Sequence, residues 1–473
     1  MRGLLQHLFS GGCLACALAM APTGATAQSS RPTAPAAHSI ALTQDELIVL
    51  ARNQLHAGHP QVALDLVEGL LATRPDVYAA HLIRTDALRR LGRSDEAIAS
   101  ARGAWRNAAT ASEKTRVARL ASVEAYRNGR TMQSKFWLRR ALNTAGTPVE
   151  KRNIIRNFNE IRRYDPWSTQ FSFSLSPSSN VNNGAQGSVY SVDGLPWIGT
   201  VGTLSQALSG YRASMAGTVR YRWRMDSGVS LTAGVRARNT VVMLSSAAKA
   251  AAPSAIASDY DFGSVEAVFG GSKPLGKTRA LRWDLSAGRL FSGREAYADV
   301  MQVSLTDIHA LKSGGTFSHS IDARKEFAID PARDGSQALK YAINLTKPAK
   351  GRGTFYHSAF VEQVFSDSVT SARYGAGLST TFAPSKPVFG STASFTIGAE
   401  MTRYPDYPFL FGSVVPGGRR DTSLYGAARF TLTDQSYFGF APEIRVDLGQ
   451  TWSNVSRFDT RTTAIGIGIK SAF

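Results

Sequence analysis

The sequence predicts two joined folds: a short α-solenoid of paired helices, followed by a closed antiparallel transmembrane β-barrel of about 14 strands. Beyond its first third, the chain changes from helical spacing to period-two alternation. The last residues place Ile465, Ile467 and Ile469 on one strand face, in step with the terminal Phe473. Residues 57–104 also contain a repeat with a period of 34 residues, which is typical of helical solenoids.

Residues 1–27 are expected to be a secretory signal peptide. Arg2 precedes an apolar run, and Ala25-Thr-Ala27 forms a small-residue cleavage site. Residues 28–42 are rich in proline, alanine and serine, which predicts a disordered leader.

Both cysteines, Cys13 and Cys16, lie inside the signal peptide. The residues three positions before them are Ser10 and Cys13, which are not aliphatic, so we do not expect a lipidated cysteine. The mature chain then has no cysteine, and this excludes disulfides, thiolate metal sites and cysteine nucleophiles.

The bulk composition narrows the class of protein. No stretch after residue 28 approaches the roughly 20 apolar residues of a spanning helix, which excludes a helical membrane protein. The net charge of +19 is an excess of basic residues of the kind found in nucleic-acid-binding proteins. Because the chain carries a secretory signal, we do not expect a nucleic-acid partner.

The helical part, residues 43–163, resembles the tetratricopeptide family over about three repeats. In that family a glycine lies in the turn between two helices and an alanine lets the second helix pack closely. A helical domain of this kind is either a groove for an extended partner or a spacer. The residues that carry the repeat are Gly58, Ala63, Gly92, Ala97 and Gly129.

In the second part, residues 168–473, the alternating pattern predicts an even number of strands, as closed bacterial barrels require. The long links after the first, third and eleventh strands are expected outside the cell, and the short turns in the periplasm. Because proline cannot donate to a ladder, Pro442 predicts a bulge or local opening. The strands are expected near 169–179, 209–225, 229–243, 259–270, 280–291, 298–311, 315–327, 337–347, 353–365, 370–383, 391–404, 421–432, 438–449 and 460–473.

Two adjacent strands alternate apolar and cationic side chains. Since the apolar face of a transmembrane barrel meets lipid, the arginines are expected to line the lumen. Such a wall could attract anionic solutes, guide acidic segments of a polypeptide, or pair with lumenal acids such as Asp284, Glu443 and Asp447. The arginines are Arg212, Arg220, Arg222, Arg224, Arg236 and Arg238.

No catalytic constellation stands out, and no cofactor or metal site is expected. His309 and His319 flank a predicted turn and could face each other across it. The other histidines show no metal-ligand spacing. A hydrolase with a triad scattered over several strands remains an alternative.

The whole layout resembles the surface lipoprotein assembly modifier (Slam) family. The resemblance implies a non-enzymatic outer-membrane translocon that delivers surface lipoproteins, or secreted haem-binding-type proteins, with a periplasmic helical domain. It also implies the client protein, the barrel assembly machinery and outer-membrane lipid as partners. Asn180, Asn182 and residues 442–454 would lie near a gate. The matching positions are Asn180 and Asn182 after the first strand, Arg419, Arg420 and Asp421 at a late strand, Gly439, Pro442, Ser453 and Asn454 in the closing hairpin, and the C-terminal signal Phe473.

A second interpretation of the same sequence is that the protein is an anion-selective or polysaccharide-exporting porin with a periplasmic repeat scaffold. Such exporters also join helical repeats to barrels. The sequence does not separate transport of a solute from transport of a polypeptide.

Overall fold

The computed structural model describes residues 42–408, 413–435, 437–438 and 440–471. The expected signal peptide lies outside the described residues, as do most of the leader, Gly439 and Phe473.

The first part consists of seven helices, each packed against the next. Thr43 and Thr110 start α1 and α5 with capping boxes, in which the threonine side chain accepts a backbone N–H of the first turn. The helices are α1 Gln44–His56, α2 Pro60–Thr73, α3 Tyr78–Arg90, α4 Ser94–Asn107, α5 Ala111–Arg127, α6 Thr131–Thr144 and α7 Pro148–Tyr164.

The helices form three antiparallel pairs and a closing helix. Gly58, Gly92 and Gly129 lie in the turns within the pairs, at φ +88°, +74° and +70°, a backbone conformation that glycine adopts without strain. Ala63 and Ala97 are fully buried where the second helix of a pair packs on its neighbours. A larger side chain at either alanine would separate the helices.

The second part is a closed barrel of fourteen antiparallel strands, as the sequence predicts. Every expected strand end lies within four residues of the observed one. The strands are β1 Trp167–Ser178, β4 Gly210–Arg224, β5 Ser230–Leu244, β6 Phe262–Pro274, β7 Arg279–Ser292, β8 Glu295–Ala310, β9 Thr316–Ala328, β10 Ser336–Ala349, β11 Gly353–Phe365, β12 Arg373–Pro384, β13 Thr392–Tyr404, β14 Arg419–Thr431, β15 Phe440–Ser453 and β16 Thr460–Ser471.

The barrel closes where β1 pairs with both β4 and β16. Of the bulge or local opening predicted at Pro442, the bulge is not found, because β15 pairs with β16 in one register from Phe440↔Ser471 to Thr451↔Thr460. On the other side of β15 the ladder with β14 ends at Thr431↔Glu443, one residue short of Pro442. Pro442 lies beside the end of β14, where its carbonyl accepts from Leu432. Its missing N–H therefore costs no bond inside the ladder.

The two ends of the barrel differ. The helical end carries α7, the linker to β1 and the short turns such as 225–229. The loop end carries the longer connections, 179–209, 245–261 and 405–418, and these include the β2–β3 hairpin (Val189–Ser191, Ile198–Thr200) and α8 (Ser246–Ala251). Among the described helices, none is long and apolar enough to cross a membrane.

Candidate functional site: the barrel wall and its two ends

The outer wall of the barrel is apolar. Large aliphatic side chains alternate outward on successive strands, and Ile397 and Ile467 are 69% and 64% exposed. A continuous apolar band of this size is unfavourable in water and matches the hydrocarbon core of a bilayer. Further members of the band are Met215, Val219, Val235, Met301, Leu378 and Leu448.

The six arginines predicted for the lumen have the opposite parity to this band, but they do not form one free cationic ladder. Arg236 forms an ion pair with Glu266 at 2.5 Å, and Glu266 is buried. Arg220 lies 3.9 Å from Asp284. In these two cases the wall is partly neutralised by lumenal acids.

The other two candidate acids pair elsewhere. Glu443 binds Lys470 at 2.7 Å, and Asp447 binds Arg445 at 2.6 Å. Arg238 is exposed and has no ion pair within the described part of the chain.

Two of the arginines hold the junction at the helical end. Arg222 donates to the carbonyl of Asp165 at 3.3 Å, and Arg224 donates to the carbonyl of Arg163. The guanidinium groups therefore bind the last turn of α7 and the linker to the rim of β4.

The linker residue Asp165 is the centre of this junction. Its side chain is fully buried, and its Oδ1 accepts from Thr131 Oγ1 at 2.9 Å and from the Trp167 backbone N–H at 3.0 Å. The Lys135 ammonium, only 10% exposed, contacts Oδ2 as an ion pair outside hydrogen-bond geometry. One carboxylate thus connects α6, the linker and the first barrel strand.

A second contact joins α6 to the closing hairpin of the barrel. The Arg139 guanidinium lies 5.5 Å from the ring centre of Phe440, which in turn packs edge-on against Phe171 at 6.4 Å. Burial lowers the pKa of Arg139 below its usual value. The helical part is therefore fixed to the barrel on both sides of the β1–β16 seam.

The concave face of the solenoid holds a cavity of about 1200 Å³ between α3, α5 and α7. Leu82, Leu120 and Ile161 contribute apolar surface, and the side chain of Tyr126 is 43% exposed there. Three exposed arginines on one face of α5 form no ion pair among the described residues; they are Arg116, Arg119 and Arg127. We call this cavity the arginine groove.

The two asparagines after β1 stabilise the loop 179–209. Asn180 is fully buried, and its amide both donates to the Gly184 carbonyl at 2.9 Å and accepts from the Gly184 N–H at 2.8 Å. Asn182 donates to the Gln206 carbonyl at 2.7 Å and accepts from the Leu208 N–H. Arg212 joins this loop to β4 by donating to the Asn180 carbonyl at 3.0 Å.

Arg419, Arg420, Asp421, Ser453 and Asn454 meet at the same loop end. Arg419 binds Asp421 through two hydrogen bonds, and its guanidinium lies 3.2 Å from the ring centre of Phe458. Asn454 Oδ1 accepts from the Arg420 N–H at 2.7 Å, while its Nδ2 donates to the Gly418 carbonyl. Ser453 N–H donates to Asp459.

Three loops share a small apolar core at this end. Val192, Val415 and Val455 are each at most 2% exposed and come from loops 179–209, 405–418 and 454–459. Burial, together with the nearby Asp193 and Asp421, raises the pKa of Asp459 beside this core. The loops therefore form one packed unit rather than independent segments.

The expected gate residues separate in space. Asn180, Asn182 and Asn454 lie at the loop end, whereas Pro442 lies near the opposite end of β15. Residues 442–454 therefore do not lie at one place, because one extended strand carries its two ends to opposite mouths of the barrel. That Asn180, Asn182 and Asn454 lie near a gate stays a prediction.

Sequence reasoning missed the buried pair Lys135–Asp165 and the arginine groove. The groove has a sequence signal, since Arg116, Arg119, Val123 and Arg127 recur at steps of three or four residues on one helix face. The buried pair has none, because its partners lie 30 positions apart and meet only through tertiary packing.

Neither protein-family models nor curated proteins match the chain. Among solved structures, the type III secretion translocator chaperone SycD of Yersinia enterocolitica is 18% identical, covering 26% of this chain and 88% of its own, with a TM-score of 0.24. A bacterial polysaccharide outer-membrane secretin is 8% identical, covering 64% and 98%, with a TM-score of 0.33. Pseudomonas putida OprB is 8% identical, covering 67% and 96%, with a TM-score of 0.35. Values this low carry no conclusion about activity.

Proposed function

We propose that this protein is an outer-membrane translocon that passes polypeptides, either surface lipoproteins or secreted haem-binding-type proteins, from the periplasm to the cell surface. The observation that carries the proposal is a partner-sized cationic groove bound directly to the rim of a membrane barrel. It accords with the Slam-like layout of the sequence.

The orientation follows from the unequal ends of the barrel. In bacterial outer-membrane barrels the short turns face the periplasm and the long loops face outward. The helical end would then be periplasmic, and the arginine groove would meet clients after their export from the cytoplasm. Lipid would surround the apolar wall, and the barrel assembly machinery would recognise the C-terminal residues around Phe473.

Capture would use the free arginines of the groove. An extended client segment with carboxylates can bind Arg116, Arg119 and Arg127 while apolar side chains reach Leu82 and Ile161. The groove ends at Tyr164, next to the linker held by Arg222 and Arg224. A captured segment is therefore delivered at the barrel mouth. Folding of the client outside the cell would make its passage irreversible.

The first experiment is deletion of the gene and quantitative mass spectrometry of protease-accessible surface proteins and culture supernatant. Selective loss of one or a few proteins, with general permeability unchanged, is the expected result. An unchanged surface, with the clients expressed, would refute the translocon.

Charge reversal then tests the groove. R116E/R119E should reduce surface display of the affected proteins while the barrel assembles normally. R152E/R156E is the matched control, because Arg152 and Arg156 are exposed on α7 but do not line the groove. Equal defects in both variants would exclude the groove as the capture site.

An anion-selective or polysaccharide-exporting porin is a second candidate, favoured by the cationic side chains on the lumenal face. Stable anion-selective conductance of the purified protein in planar bilayers would support it. A barrel that stays closed would favour the translocon.

A further inference from the structure

A cluster on the outer wall of the barrel has no part in this transport scheme. Asp307 and His309 lie two residues apart on β8, and His319 lies directly opposite Asp307 on β9. All three share the parity of the exposed Met301 and point outward. They sit near the turn 311–315, at the helical end.

The two imidazoles converge on one carboxylate oxygen. His309 Nε2 lies 3.1 Å and His319 Nε2 lies 3.6 Å from Asp307 Oδ2. The two rings are nearly parallel, with centres 6.3 Å apart and an interplanar angle of 12°. In a tetrahedral zinc site, neighbouring ligand atoms are about 3.3 Å apart, since each lies about 2 Å from the ion.

Hydrogen bonding alone accounts poorly for this arrangement. Arg279 already binds the carboxylate, with Nε 2.9 Å from Oδ1 and Nη2 2.7 Å from Oδ2. The two lone pairs of Oδ2 can accept from Arg279 Nη2 and His309 Nε2. His319 Nε2, at 3.6 Å, lies beyond hydrogen-bond distance, so a hydrogen bond does not explain why it points to this oxygen. An imidazole nitrogen can instead direct its lone pair to a shared ion, and the hydrogen bonds from Arg279 orient the carboxylate.

We propose that Asp307, His309 and His319 form a binding site for a divalent transition-metal ion of the zinc class. Two imidazole nitrogens and one carboxylate oxygen are a donor set that zinc accepts, and three protein ligands leave a position for water or a lipid phosphate. The imidazoles are each 38% exposed, so an ion can reach them. The bound ion would cross-link β8 and β9 at the periplasmic end of the barrel wall.

The test uses the purified full-length protein in detergent, with any affinity tag removed and metals stripped by a chelator. Calorimetric titration with zinc chloride is expected to show one zinc site per chain. H309A and H319A should each weaken zinc binding by at least about tenfold. Where H309A fails to assemble, as judged by heat-modifiable gel migration, H309Q replaces it.

Two histidines provide matched controls. His357 lies near the same end, stacked on Phe355, and binds Thr380 instead of a carboxylate. His56 lies in the solenoid, beside the first repeat turn. H357A and H56A should leave zinc binding unchanged. Absence of stoichiometric zinc uptake by the unmodified protein, or an equal loss in either control, would overturn the proposal.

Discussion

Removing the carboxylate of Asp165 should destabilise the helical part at its junction with the barrel. The D165A substitution leaves the Lys135 ammonium buried without its partner, and it also leaves the Thr131 hydroxyl and the Trp167 N–H without their acceptor. Breaking a buried ion pair by deleting one partner costs about 3–5 kcal/mol. We therefore expect the helices to lose about 4 kcal/mol of stability against unfolding.

Urea denaturation of the full-length protein in detergent measures this loss. The circular dichroism signal at 222 nm follows the helices, while heat-modifiable gel migration shows whether the barrel is intact. With a slope of about 2 kcal/mol per molar urea, the midpoint of helix unfolding should fall by about 2 M. The midpoint of D165N should fall less than that of D165A, because an amide oxygen can still accept from Thr131 and Trp167.

A paired variant separates the ion pair from general damage. In K135M/D165A the uncompensated charge is gone, so most of the lost stability should return. A D165A midpoint equal to that of the unmodified protein would refute the reasoning. So would a double variant as unstable as D165A.

The remaining predictions concern loops and helix packing. N454A removes an amide that bridges two loop segments, so the packed loops 179–209, 405–418 and 454–459 should be cleaved by protease several-fold faster, while gel migration of the barrel stays unchanged. The pKa of Asp459 is raised above 3.8 by burial first and by Asp193 among its charged neighbours, so the stability this carboxyl contributes is complete below pH 3.8 and is lost as pH rises through the raised pKa. D459N should therefore slow proteolysis of these packed loops at pH 7 and show no advantage below pH 3.8, as measured by the ratio of its cleavage rate to that of the unmodified protein. In G103A the added methyl would lie 2.6 Å from the His81 ring, so the free energy of unfolding of the helices, measured in urea, should fall by about 1–3 kcal/mol. An unchanged midpoint would show that the ring moves aside.

The strand count was predictable because each barrel strand faces lipid on one side. Met215 and Val219 alternate with polar residues on β4, and a one-residue error would place arginines in lipid. The repeat was predictable for a similar reason, since Gly58 and Gly92 occupy the same turn in successive helix pairs. Local periodicity reports the environment of each face.

The binding partners of individual polar side chains were not predictable in this way. Arg212 and Arg236 share a parity, yet one binds loop carbonyls and the other binds Glu266. Which partner an arginine meets depends on strand register and loop course, and these bring together residues remote in sequence.

By itself, the sequence determined the two-part architecture and the parity of the barrel wall, because these follow from short-range periodicity and hydrophobic partition. Only the tertiary structure decided that Asp165 is the buried joint, that Pro442 and Asn454 lie at opposite mouths, and that Asp307 lies between two histidines. Such contacts depend on how fourteen strands close into one ring, and ring closure is a property of the whole chain.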